Sequence, residues 1–322
     1  MSGRRLFLLI IGSFALFAWT VSQTYSEPPV KKTEASAKKT VAVEKAKVGS
    51  KTDAATKFVR VIREKKTPVS LQTAIVTYVG RNAAGKEVRV DLIGAIHIAD
   101  RSYFKQLNKI FDQYDVVLYE LVAPKGARPK TGQAGIYSPI ANLLKLADQI
   151  AIVDYEKKNF VHADMSGDDV LESMRKNNES LTQTFWKLVG QGIAQQSDPK
   201  AQDAQGSLLA VLFARDRPLA FKRMMAGQLE DPDMATQLLP VVLIKGRNKA
   251  ALKVLSKELS KGKRHIAIFY GAAHMPDMEM RLLKDFKLKR GKQRWLVAWD
   301  LKVKSKKKPP AKSRKLDKTP SQ

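Results

Sequence analysis

Apolar residues in this chain fall into two kinds of run, and their spacing predicts an α/β fold. Leu71–Val79, Val88–Leu92, Val116–Tyr119, Ile266–Tyr270 and Trp295–Ala298 are short, rich in β-branched and aromatic residues, and of strand length. Elsewhere apolar residues return every three or four positions. Tyr103, Leu107, Ile110, Phe111 and Tyr114 share one face of a helix over Ser102–Tyr114. Leu252, Val254, Leu255 and Leu259 give Lys245–Ser260 an apolar side, with Gly262 as its stop. Pro276–Phe286 reads as a helix with proline near its start. The first two strands join through a turn at Arg81–Gly85. The middle of the chain reads as amphipathic helices over Ser138–Ile152, Asp168–Lys176, Leu181–Ala194 and Leu208–Met225, the last kinked or broken at Pro218.

One phrase occurs twice in this pattern. Gly94-Ala95-Ile96-His97 and Gly271-Ala272-Ala273-His274 each follow a strand and precede a helix. The likeness runs on to the next strand: Val117-Leu118-Tyr119-Glu120-Leu121 in the first unit, Val297-Ala298-Trp299-Asp300-Leu301 in the second. The expected architecture is a mixed central sheet of two pseudo-symmetric β-α-β halves, with the helical segment inserted between them.

Charge and composition divide the 322 residues further. The formal net charge is +27, but much of it is in the flanks. Residues 27–67 carry a net +7 and residues 301–322 a net +8. Residues 27–66 have too few large apolar groups to form a core and read as a disordered basic linker, and 303–322 as a disordered Lys-rich tail. Arg4-Arg5 followed by the apolar run Leu6–Val21 marks 1–26 as a signal peptide or membrane anchor. Thr24-Tyr25-Ser26 is a weak small-x-small cleavage site, and Arg4-Arg5 a weak match to a twin-arginine signal. The folded domain is then 67–302, and the expected location is periplasmic or at the outer side of a membrane. The absence of cysteine excludes disulfides, thiolate ligands, a Cys nucleophile and a lipobox.

Candidate chemistry lies at the strand ends. Only four histidines occur, and two of them stand in the repeated phrase. A glycine turn lets backbone approach a bound ion closely and aims the following His outward. His97 and His274 offer imidazole nitrogens and Glu120 a carboxylate, a ligand set with an open position for one divalent ion, Zn, Mn or Co. The plainer alternative is that each His satisfies backbone in its turn. Arg247 is suited to a substrate carboxylate or a developing oxyanion. Asp164 and His162 either line the site or support a ligating His, and Asp164 equally suits a helix N-cap. Asp100 either caps the following helix or holds His97. Asp277 and Glu279 are acids in a helix's first turn, favoured by the helix dipole. His265 reads as exposed.

In order and spacing, Gly94–His97, Glu120, the pair Arg247-Asn248 and Gly271–His274 resemble the TraB/GumN family, which includes the Tiki proteases. The resemblance covers roughly residues 72–300. It implies an α/β fold shared with erythromycin esterase and ChaN-like proteins. For the Tiki members it also implies metal-dependent hydrolysis, with His97, Glu120 and His274 around the metal; several other members have no established reaction. The family carries an Arg-Asn pair at the position of Arg247-Asn248, and Arg247, Asn248 and Asp164 are the candidates for contact with the substrate. The family often carries Ala-Asp-Arg, where this chain has Ala163-Asp164-Met165.

The expected function is therefore a metal-dependent hydrolase acting on an amide or ester bond of a peptide or small molecule. The alternative is a non-catalytic binding or signalling protein on the same scaffold. Nucleic acid is a poor fit for the charge: the flanks lack interleaved aromatics and no groove-reading motif is present, so only salt-sensitive attraction is expected. Contact with anionic lipid or solubility explains those flanks as well.

Overall fold

The computed structural model of the chain describes residues 57–82, 84–135, 137–176, 211, 213–229 and 241–303. In chain order the elements are β1 (Val59–Glu64), β2 (Thr67–Arg81), β3 (Glu87–Ala95), β4 (Ile98–Ala99), α1 (Arg101–Phe111), β5 (Val116–Tyr119), α2 (Ser138–Leu143), β6 (Ala147–Asp148), α3 (Gln149–Ile152), β7 (Phe160–His162), α4 (Gly167–Lys176), α5 (Arg217–Leu229), α6 (Val241–Ser260), β8 (His265–Gly271), a 3-10 turn (Ala272–His274), α7 (Met275–Lys284) and β9 (Lys289–Asp300).

The main sheet is mixed, and the fold is α/β. Strands β3, β8, β5 and β7 lie side by side and parallel. The long β2 runs antiparallel to β3, and also to β1 and β9. Alternation along the strands sends side chains to two cores, as a pleated strand must. On one face, Ile93, Val117, Tyr119, Ala267 and Phe269 meet Tyr103, Phe104, Leu107 and Phe111 of α1. On the other, Leu92, Leu118, Ile268 and Tyr270 meet Leu252 and Leu255 of α6 and Met275, Met278 and Leu282 of α7. A parallel strand covered on both faces is apolar throughout, and all four residues of β5 are buried. The β2–β3 turn is held by the Asn82 carboxamide, whose Oδ1 accepts from the N–H groups of Ala84 and Lys86, while Gly85 supplies a φ of 72°.

Several expectations need correction. The domain begins before residue 67, because β1 lies inside the expected linker. Val61 of β1 and Phe58 just before it are buried, three residues apart and in different cores, so no period of two stands out among the neighbouring basic residues. Ser138–Ile152 is not one helix. It breaks into α2, β6 and α3, with Lys145 at a φ of 55° between them. Helix α6 starts at Val241, four residues earlier than expected, since Val241–Ile244 is uniformly apolar and gives no helical period. Pro218 lies in the first turn of α5, so it begins a helix instead of kinking one.

The pseudo-symmetry is not confirmed. The first strands of the two units, β3 and β8, do pair in parallel, with Gly94 opposite Tyr270 and Ala95 opposite Gly271. The second strands differ: β5 joins β8 in parallel, whereas β9 joins β2 antiparallel.

The expected helix at Leu181–Ala194, the leader or anchor at 1–26, most of the linker and the tail beyond Val303 lie outside the described residues. Among the described residues, no helix is long and apolar enough to cross a membrane.

Candidate active site

Four neighbouring parallel strands end on the same side of the sheet, and each is followed by a polar side chain. Glu120 follows β5 directly, His97 comes two residues after β3, His274 three after β8, and Asp164 two after β7. The carboxyl ends of parallel strands are where open α/β sheets form their crevice. Helix α6 crosses above and adds Arg247 and Asn248, about two turns from its start.

The segment carrying His97 is pinned at several points. The Tyr103 hydroxyl donates to Gly94 O at 3.3 Å. Trp299 Nε1 donates to Ile98 O at 2.7 Å, and Gln149 N donates to His97 O at 2.8 Å. Strand β4 pairs with β6, which fixes α3 and therefore Gln149 beside the ring. The Gln149 amide donates from Nε2 to the Tyr155 hydroxyl at 2.7 Å, which turns Oε1 toward His97 Nδ1 at 3.2 Å. In the neutral ring the proton is then on Nδ1, and Nε2 is bare.

His274 is held in the same way by a different amide. Asn248 Nδ2 donates to His274 O at 3.2 Å and to Asp277 Oδ2 at 2.8 Å. Asn248 Oδ1 must therefore accept from His274 Nδ1, at 2.7 Å. The neutral His274 ring also presents a bare Nε2, and it lies 3.4 Å from Glu120 Oε1. A lone pair facing a carboxylate at that distance is repulsive unless a proton or a cation lies between them.

Gly271 is where these groups converge. A Cβ added there would lie 3.3 Å from Glu120 Oε2, 3.4 Å from His97 Nε2 and 3.8 Å from His274 Cδ2. The Gly271 N–H also donates to Glu120 Oε2 at 2.6 Å. Any side chain at 271 would fill the space the three groups share. As they stand, no three His, Asp or Glu side chains among the described residues are grouped closely enough to hold an ion. The site is a convergent set of donors, not an assembled cage.

Arg247 joins two carboxylates. Its Nε and Nη2 meet Asp164 Oδ1 and Oδ2 at 3.0 and 2.6 Å, and Nη2 also meets Glu120 Oε1 at 2.6 Å. The Asp164 side chain is fully buried and that of Glu120 only 9 % exposed. Burial alone would raise the Glu120 carboxyl. Arg247, His274 and His97 outweigh it and hold the group well below the usual carboxylate range. Burial likewise opposes the charge of Arg247, but Glu120 and Asp164 raise its pKa above the usual guanidinium value. With neutral imidazoles, two carboxylates against one guanidinium leave the cluster one negative charge in excess, in a place that water barely reaches.

Other expected site residues have different roles. Asn248 is fully buried and bonded to His274 and Asp277, so it has no face for a substrate; it acts through His274. Asp164 is not the N-cap of α4. Ser166 fills that role, exchanging hydrogen bonds with Asp169. His162 steadies the loop after Glu120, with Nε2 donating to Leu121 O at 2.6 Å and Nδ1 accepting from Gly126 N. Asp100 accepts from Asp300 N at 2.6 Å; it neither caps α1 through its side chain nor touches His97. Asp277 receives Asn248 and Arg281. His265 is half-buried, against the ring of Tyr114.

Two site residues have no sequence motif. One is Gln149. The other is Tyr137, whose ring lies flat on His97 with centroids 5.4 Å and planes 10° apart. Burial, then the Glu120 carboxylate, raise its phenol. A cavity of about 650 Å³ lies between α4 and α6, walled by Asp164, Met165, Gly246, Lys125, Lys253 and Lys257. It borders the Arg247 clamp and is within the size range of small-molecule sites.

Comparison with family models, curated proteins and solved structures gives no match for the chain.

Proposed function

We propose that this chain is a metal-dependent hydrolase of amide or ester bonds, of the TraB/GumN type. The observation that carries the reading is the convergence of His97 Nε2, Glu120 Oε2 and His274 on the space above Gly271. The donor chemistry fits a divalent cation in three respects. In the neutral form both imidazoles present a bare Nε2, Glu120 stays ionised, and with neutral rings the buried cluster carries one negative charge in excess. His97, Glu120 and His274 would hold the ion, whether Zn, Mn or Co. When bound, such an ion supplies Lewis-acid polarisation of a carbonyl and a nucleophile at neutral pH.

The chain's own residues do the rest. Gln149 and Asn248 fix the tautomers of the two histidines and aim them. Asp164 anchors Arg247 through two hydrogen bonds, so the guanidinium does not swing. Arg247 Nη1 makes no hydrogen bond among the described residues, and its two N–H groups remain for a substrate oxygen. The cavity between α4 and α6 offers room for the substrate beside that clamp. The basic flanks and the apolar segment 6–21 suit a protein tethered outside the cytoplasmic membrane and touching anionic lipid.

The test is hydrolysis of a panel of fluorogenic peptides and aryl esters by the purified chain, with added zinc, manganese or cobalt and with a chelator. Turnover that requires an ion and is lost in His274→Ala supports the proposal. Turnover unaffected by chelator and by that substitution overturns it.

A further inference from the structure

Of the seven tyrosines in the described residues, six have a partner for the hydroxyl: Tyr78 on Glu279, Tyr103 on Thr73, Tyr114 on Asp91, Tyr119 on Ala127, Tyr155 with Gln149 and Tyr270 on Ala163. The hydroxyl of Tyr137 has none among the described residues. This phenol is at the site itself, flat against the His97 ring. Among the charged groups that act on its hydroxyl, Glu120 is the strongest, ahead of Arg247 and Asp148. Described residues on either side of it meet Asp148: Ser138 Oγ donates to Asp148 Oδ2 at 3.1 Å, and Gly135 lies so close to that carboxylate that a Cβ would fall 2.6 Å from it.

The stack on His97 uses only the ring, and phenylalanine would supply it equally. The oxygen needs another reason. Tyr137 Oη and Arg247 Nη1 are donors without a protein partner among the described residues, one on the ring stacked against His97 and the other on the guanidinium bonded to Glu120, and paired donors at a reacting carbonyl are what acyl-transfer sites use.

We propose that, in the hydrolase described above, Tyr137 contacts the substrate, its hydroxyl donating a hydrogen bond to the carbonyl oxygen on which negative charge develops. When the attacking water adds to the carbonyl carbon, the C=O π pair moves onto the carbonyl oxygen. The Tyr137 O–H meets it and keeps its own proton. When the pair returns, the C–N or C–O bond breaks, and the proton lost by the water leaves with the amine or alcohol. The phenol is a neutral donor at neutral pH. Loss of one such donor lowers kcat on the order of 10²-fold.

The experiment compares the full-length protein with Tyr137→Phe, which keeps the ring and removes only the oxygen. Both are loaded with zinc and titrated calorimetrically with phenylphosphonate, a tetrahedral anion shaped like the hydrolytic intermediate. The expected result is phenylphosphonate binding about tenfold weaker in the variant, the value of one hydrogen bond, with zinc affinity unchanged. Equal phenylphosphonate affinity overturns the proposal. So does a parallel fall in zinc affinity, which would reduce Tyr137 to a support for His97. A wild type that binds zinc but no phenylphosphonate overturns it too, and leaves the metal reading standing. A wild type that binds no zinc sinks the metal reading separately; the zinc-free titration then still decides, weaker binding in the variant supporting the donor and equal binding refuting it.

Discussion

At Gly271 a single added methyl group tests the cradle. The backbone there, with φ −52° and ψ 140°, is open to any L residue, so Gly271→Ala introduces no strain in the chain itself. Its Cβ would nonetheless crowd Glu120 Oε2 and His97 Nε2. Divalent-ion affinity should fall at least tenfold while circular dichroism is unchanged; wild-type affinity in this variant would mean that the ion binds elsewhere. Arg247 has a different signature. Arg247→Ala leaves Glu120 and Asp164 buried without their counter-charge, at a cost of about 3–5 kcal/mol in urea unfolding. A loss under about 1 kcal/mol would show the clamp to be no more than a surface pair. The places of His97, Glu120 and His274 at strand ends were legible in the sequence, through scarce histidines and a repeated phrase, whereas Arg247-Asn248 and Asp164 were singled out alongside the family resemblance. Gln149 and Tyr137 were not. Gln149 sits where Ser138–Ile152 mimics one continuous helix and Tyr137 just before it, and no motif announces an amide or a phenol whose role depends on a ring 52 or 40 residues away.

Helix α7 shows how an element ties stability to the site. Asp277 near its start accepts from Arg281 one turn later and from Asn248 on α6. Burial pushes the Asp277 carboxyl up, but Arg281 and Asn248 outweigh it and hold the pKa below the ordinary value. A depressed carboxylate stabilises the fold above its unfolded pKa of about 3.9, and that stability is lost as pH falls toward the lower folded value. Asp277→Asn should therefore lower stability at pH 6, and show a shallower loss between about pH 5 and 2 than wild type, by urea titration at each pH. Parallel pH profiles would remove Asp277 from the account. At this scale the sequence was a good guide to which segments are strands or helices and a poor one to their partners. A period of two identifies β9, yet it does not distinguish a parallel neighbour of β8 from an antiparallel neighbour of β2. The matching Tyr-Glu-Leu and Trp-Asp-Leu endings therefore suggested a symmetry that the strand order does not follow. Glu120 ends in the crevice, whereas Asp300 lies exposed beside Ser70.

For the whole molecule, the sheet gathers side chains from four strands and one helix, separated by up to 177 residues in the chain, at one end of a two-sided core. Charge is organised differently: in the sequence cationic flanks bracket a domain whose buried centre, with neutral imidazoles, carries one negative charge in excess. Both features lead to the same claim, that the strand ends form a receptor for one divalent cation. The direct measurement is calorimetric titration of the purified chain with zinc, manganese and cobalt, alongside His97→Ala and His274→Ala. The account predicts one ion per chain for the wild type and binding at least 100-fold weaker in each variant, with circular dichroism unaltered. No uptake by the wild type, or full affinity retained in both variants, would contradict it.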